Sequence, residues 1–256
     1  MLRRKSPVGD EMPFLDHLEE LRWRLLWSLL AVVVGAGIGF LLVMKLNVLG
    51  LLIKPVEPFL GGGKLKYLSP TEPFFITVKL AIVVGFLLAS PIVIYQVWAF
   101  FGPALLPNEK RVIVPALYMG LVLFALGVYA AYTVVLPMTL KFTMGFQTEA
   151  LEQSITVGPY LDVVTRTLLA FGAVFELPVV ILILSALGLV TPEFLASRRK
   201  HAILIITVLS SLLTPGDVIT LTLMMMVPLL VLYEFSIVLS RMVSRRRIAA
   251  AAAAEA

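Results

Sequence analysis

Cysteine is absent from the 256-residue chain, and histidine occurs only as His17 and His201, far apart in sequence. Disulfide staples, thiolate metal sites and cysteine nucleophiles are thereby excluded. Charged residues make up only 14% of the chain, where a soluble domain carries about one quarter. Gly61-Gly62-Gly63-Lys64 lacks the spacing and the hydroxyl residue of a phosphate-binding loop. No HExxH zinc helix and no GxSxG elbow occur, nor any pair of aspartates within apolar runs that could do aspartyl-protease chemistry. Inverted repeats of the kind that build many transporters are not evident. These absences predict a chain that is not an enzyme, with no cofactor and no nucleic-acid partner.

Hydrocarbon is what the sequence has in excess: 60% of residues are hydrophobic and the mean hydropathy is +0.99. One globular core cannot hide that much apolar surface, so part of the solvent must be lipid. The chain reads as an all-α integral membrane protein, a single polytopic unit over residues 1–247 with an alanine-rich tail over 248–256. An amphipathic lead-in over 13–24 precedes six spans at about 25–45, 73–98, 112–136, 161–187, 201–213 and 218–240. The fifth run is short, about 18 Å of helix against a hydrocarbon core of about 30 Å. With the turn Thr214-Pro215-Gly216-Asp217, the fifth and sixth spans form a short, partly recessed hairpin. The first apolar run lacks a small-residue cleavage site, so no removable leader is expected.

Fourteen of the 21 basic residues fall on one side of these spans. They are Arg3, Arg4, Lys5, Arg22 and Arg24 before the first; Lys110 and Arg111 between the second and third; Arg198, Arg199 and Lys200 between the fourth and fifth; and Arg241, Arg245, Arg246 and Arg247 after the sixth. The positive-inside rule then places both termini in the cytoplasm. Prolines recur in or beside the spans at Pro91, Pro115, Pro137, Pro178 and Pro228. Each interior proline removes a helix hydrogen bond and bends the axis, which predicts kinked helices curved into a concave, open wall. Gly35 and Gly39, with Gly37 between them, either let a second helix approach closely or reflect ordinary transmembrane glycine content.

Four polar features remain. In the lead-in, Phe14, Leu18, Leu21 and Leu25 repeat at helical spacing behind Pro13, and Glu20 stands four residues before Arg24. In the loop 100–111, topology accounts for Lys110 and Arg111 but not for Glu109. The loop 47–72 carries Lys54-Pro55-Val56-Glu57-Pro58 and ends in Ser69-Pro70-Thr71-Glu72, and its prolines predict a stiff, ordered cap. Finally Glu176 lies midway along the fourth span, where an ionised acid costs on the order of 3 kcal/mol. Arg166 is ten residues away, about 15 Å along a helix, too far to pair within it. Glu176 is therefore protonated, facing water, or bonded to a partner's polar group.

The segments HLEELRWRL (17–25), LSPTEPFF (68–75), LASPIVIYQVWAFFGPAL (88–105), PNEKR (107–111), FGAVFELP (171–178) and LLTPGDV (212–218) together resemble the TatC family, the receptor subunit of the twin-arginine protein translocase. The resemblance implies a non-enzymatic receptor in the bacterial cytoplasmic membrane that binds twin-arginine signal peptides of folded cargo. It implies that Glu20 and Glu109 face the paired arginines, with Arg22, Phe100 and Arg111 around them. It further implies an outer-loop role for Pro55, and docking of single-span TatA and TatB partners at the intramembrane polar residues Glu176 and Asp217. Homo-oligomers within the receptor complex, contact with membrane lipid and transport driven by the proton gradient belong to the same expectation. The chain departs from some relatives at Asn108, Gly216 and Leu221. The alternative reading is a proton-coupled secondary transporter with Glu176 as proton carrier.

Overall fold

The computed structural model describes residues 14–101, 110–145, 154–213 and 219–255. Among these residues no strand forms, and nearly all the chain is helical. Helix α1 (Phe14–Lys45) runs 32 residues without a proline to interrupt it. The amphipathic lead-in and the first span are thus one rod of about 48 Å, not two elements, and its excess over a bilayer core of about 30 Å projects beyond the membrane. Asn47 then takes a left-handed conformation (φ 48°), its side chain accepting from the Gly50 N–H, and starts the short α2 (Val48–Ile53). A 3₁₀ turn (Glu57–Phe59) leads toward α3 (Glu72–Phe101), which contains Pro91.

Helix α4 (Lys110–Ala130) passes through a π-helical turn, Ala131–Val135, into α5 (Leu136–Met144). Pro137, the second residue of α5, explains the widening. Its ring would collide with the carbonyl four residues back, and the Leu136 N–H bonds instead to the Ala131 carbonyl, five residues back. Proline has a stronger effect in the next span, which is split into α6 (Val157–Val174) and α7 (Leu177–Ala186) with Pro178 in the first turn of α7. Helices α8 (Pro192–Ser197), α9 (Arg199–Leu213) and α10 (Ile219–Glu255) complete the chain. The alanine tail continues α10 as helix, as expected of the best helix former.

Among the described residues, five units are long and apolar enough to cross a membrane: α1, α3, α4 with α5, α6 with α7, and α10. The 15-residue α9 is the short fifth span, whereas α10, in the place of the sixth, runs 37 residues and is not short: its apolar run passes without a break into the Arg- and Ala-rich tail. They pack side by side in the order α1, α3, α4, α6/α7, α10, α9, with α3 touching both α4 and α6. Glycine makes the first contact possible. A Cβ built on Gly35 would stand 2.5 Å from the Gly85 carbonyl oxygen, and one on Gly85 would overlap the Ala36 backbone. Gly39 meets the backbone of Ala81 in the same way, whereas a Cβ on Gly37 would meet nothing within 4 Å. The small-residue reading of Gly35 and Gly39 therefore holds.

At the end of the bundle where α3 and α6 begin, the proline-rich loop is tied down. The Tyr160 hydroxyl donates to the Leu52 carbonyl (2.6 Å) and the Tyr132 hydroxyl to the Leu51 carbonyl (2.7 Å). Val56, next to Pro55, is fully buried. Glu72 accepts from the backbone N–H of Leu68 (2.6 Å) and from that of Gly158 (3.1 Å), joining the loop and the starts of α3 and α6. Two charge-assisted bonds are lost in Glu72→Ala, so about 2 kcal/mol of stability should go with them. Faster proteolysis of the loop and a lower unfolding midpoint in detergent would register it.

Candidate functional site

Among the described residues, two places set expected site residues against apolar helices. At the end of the bundle where α1 starts and α3 finishes, Arg24 Nε donates to Glu20 Oε1 at 2.9 Å, and its Nη2 reaches the same oxygen. Nη1 of Arg24 lies 3.5 Å from Gln96 Oε1, linking α1 to α3. Phe100, one turn beyond Gln96, is half-buried. Arg24, not the exposed Arg22, holds Glu20, because residues four apart share a helix face and residues two apart do not. Glu109 and Asp217 lie outside the described residues, as does the side chain of Arg111. Pro55 sits at the opposite end, in the cap.

The second place is the break between α6 and α7. Pro178 has no N–H to continue the α6 ladder, so the chain turns at Phe175–Glu176 and restarts, with Val179 and Val180 N–H groups donating to the Glu176 carbonyl at 3.0 Å each. The break carries the Glu176 side chain onto α4, where Gly120 leaves room: a Cβ there would stand 2.8 Å from Glu176 Oε2. Both carboxyl oxygens are buried and have no hydrogen-bond partner among the described residues. Beside them opens a cavity of about 340 Å³, walled by Val93, Val97 and Trp98 of α3, by Val180 and Leu184 of α7 and by Leu187 at its C-cap. One acid thus stands at the edge of an otherwise apolar groove.

Two other acids in the spans are answered. Glu234 of α10 receives Arg199 of α9 through two contacts, Nη2 to Oε2 at 2.9 Å and Nε to Oε1 at 2.8 Å. Asp162 of α6 pairs with Lys79 of α3. Sequence reasoning reads Arg199 only as a topology signal and does not find Gln96, Gly120 or Glu72 as partners. None of them has a spacing signal, because each contact joins two different helices or a helix and a loop. No group of His, Asp or Glu suited to a metal ion occurs among the described residues.

Known proteins agree over most of this chain. The family profile described as "Sec-independent protein translocase protein (TatC)" matches residues 16–228. The "Sec-independent protein translocase protein TatC" of Aquifex aeolicus (strain VF5) is 42% identical over 238 residues, covering 92% of this chain and 98% of the relative. That of Escherichia coli (strain K12) is 36% identical over 236 residues, covering 91% and 90%. A crystal structure described as "Twin Arginine Translocase Receptor- TatC" superposes with a TM-score of 0.77 at 40% identity, covering 89% of this chain and 99% of that one. A second, described as the same receptor in DDM, gives 0.78 at 41% identity, covering 88% and 99%. The kinked six-helix wall and the likeness along the sequence lead to one assignment: the chain belongs to the TatC family of Sec-independent protein translocase proteins, as a multi-pass membrane protein.

Proposed function

We propose that the chain is the receptor of a twin-arginine translocase, capturing signal peptides of folded proteins at the α1/α3 end of the wall. One observation carries the reading furthest: the apolar groove along α3 and α7 has a buried, partnerless carboxyl at its edge. An apolar helix or extended hydrophobic segment could fill such a groove, and a polar group on it would answer Glu176. The two solved relatives described as twin-arginine translocase receptors support the same direction.

In this reading the basic end faces the cytoplasm, and Glu20 and Glu109 accept the two guanidinium groups of the signal. Arg22, Phe100 and Arg111 frame that acidic pair. Arginine suits the task because its planar fork matches a carboxylate bidentately, whereas lysine presents a point charge. Before a peptide arrives Arg24 occupies Glu20, so an internal guanidinium holds the acid in a geometry a ligand arginine can take over. Single-span partners of the TatA and TatB kind dock near Glu176 and Asp217, copies of the chain associate within the receptor complex, and the proton gradient drives transport. Pro55 serves by stiffening the cap.

Crosslinking of a signal peptide to the full chain in membrane vesicles tests the proposal. Changing the peptide's arginine pair to lysines should reduce capture about tenfold or more, the value of one charge-assisted hydrogen bond. If capture ignores the arginines while Glu176→Ala abolishes uptake of a small solute, the secondary-transporter reading replaces this one.

A further inference from the structure

Just below the cap, α3 and α6 carry three charged side chains that the receptor reading does not use. Lys79 of α3 and Asp162 of α6 form an ion pair across the two helices, yet their side chains stay 41% and 63% exposed. Arg166 stands one turn further along α6 on the same face. It is exposed and makes no hydrogen bond or ion pair with any described residue. The contact of Glu72 with the Gly158 N–H brings the starts of the two helices level. Counted from there, Lys79 is about 10 Å and Arg166 about 13 Å down its helix.

A bare guanidinium on a face turned to lipid is expensive unless an anion or the head-group layer receives it. Side chains on a helix lean toward its N-terminus, and both helices begin at the capped end. Lys79 and Arg166 therefore reach up toward head groups. Two cations stand against the one carboxylate of Asp162, while Glu72, nearer the cap, is taken up by the backbone N–H groups of Leu68 and Gly158; the spare cation is the complement of a phosphodiester. The surface of α3 around Lys79 is apolar and open, with Phe75 one turn nearer the cap 65% exposed and Ile82 one turn deeper 52% exposed.

We propose that Lys79, Asp162 and Arg166 form a binding site for the phosphate of a phospholipid in the leaflet on the capped side. Arg166 takes phosphate oxygens through its planar fork, Lys79 is shared between Asp162 and the phosphate, and an acyl chain runs deeper along Ile82. The assignment is independent of the peptide reading.

Native mass spectrometry of the full chain, titrated with phosphatidylglycerol, tests it. Arg166→Gln and Lys79→Gln should each weaken binding about fivefold, the effect of one basic residue near a lipid surface. Asp162→Asn should tighten it by about the same factor, and Lys141→Gln, an exposed lysine elsewhere on the capped side, should change nothing. An unfolding midpoint for each variant separates these shifts from misfolding, since a merely structural ion pair would make Asp162→Asn weaken binding. Lipid retention that ignores Arg166→Gln, or weaker retention in Asp162→Asn, would overturn the site. So would inorganic phosphate binding as tightly as the lipid, which puts the ligand in solution, or loss of signal-peptide crosslinks with lipid retention unchanged, which gives the residues to the peptide.

Discussion

Gly85→Leu is expected to detach α1 from the rest of the wall, at a loss of about 3 kcal/mol. The backbones of α1 and α3 touch where Gly85 faces Gly35 and Ala36, and no side-chain rotation can make room there. Helix α1 has little else to hold it. Only 17% of its most apolar stretch is buried, the smallest share of the five long spans, and its principal neighbour is α3. Close approach of small residues is also what drives helix association in lipid, where the hydrophobic effect gives no advantage. Gly37→Leu is the control, since a Cβ there meets nothing. Both changes gain about 1 kcal/mol of helix propensity, so intrinsic propensity alone would make both variants more stable. Unfolding by added denaturing detergent should instead show opposite signs, with Gly85→Leu losing stability and Gly37→Leu gaining or holding it. Equal midpoints would remove the close-packing account.

The double variant Glu20→Ala with Glu109→Ala should lose twin-arginine peptide binding by about 100-fold or more. A hydrogen bond to a charged group contributes about 1.5–3 kcal/mol, and two are removed. The loss at Glu20 is compounded, because Arg24 and Gln96 remain in place and an unanswered Arg24 then repels the incoming arginines. Glu19→Ala separates this from a general change in surface charge. Glu19 is exposed on the neighbouring face of the same helix, and its removal should alter binding by less than about threefold, as for a screened surface charge. Fluorescence anisotropy of a labelled signal peptide would read all three proteins. A double variant binding within twofold of the unaltered chain would refute the two-acid site. Gly85→Leu connects the two predictions: α1 carries Glu20, so detaching it should also lower peptide binding, whereas Gly37→Leu should not.

The two large acids of the later spans show how differently a site can be legible. Glu176 stands out in the sequence by itself, because a lone carboxylate in an apolar run is costly and Arg166 is out of reach along the helix. That reasoning excludes an intrahelical partner but says nothing of other helices. Glu234 is likewise the lone charge in an apolar run and carries the same local signal, yet it is the one with a bidentate arginine. Whether a charge in a span is answered depends on which helices are neighbours, and periodicity within one helix does not contain that. Glu20 is a third case, since its i,i+4 relation to Arg24 is local and visible in the spacing.

By itself the sequence determined that the protein must live in lipid, that it is helical, and that prolines would disturb its helices, as Pro137 and Pro178 do. Apolar excess, a 3.6-residue period and the missing N–H of proline are properties of short stretches of chain, and they hold whatever the stretches pack against. Only the tertiary structure decided that α1 and its lead-in are one rod pressed onto α3, because Gly37 and Gly85 look alike until a backbone stands against one of them. It also decided that Glu176 rests on Gly120 beside a groove while Glu234 and Asp162 are paired. Those outcomes are set by distances between helices far apart in sequence, and no local pattern carries such distances.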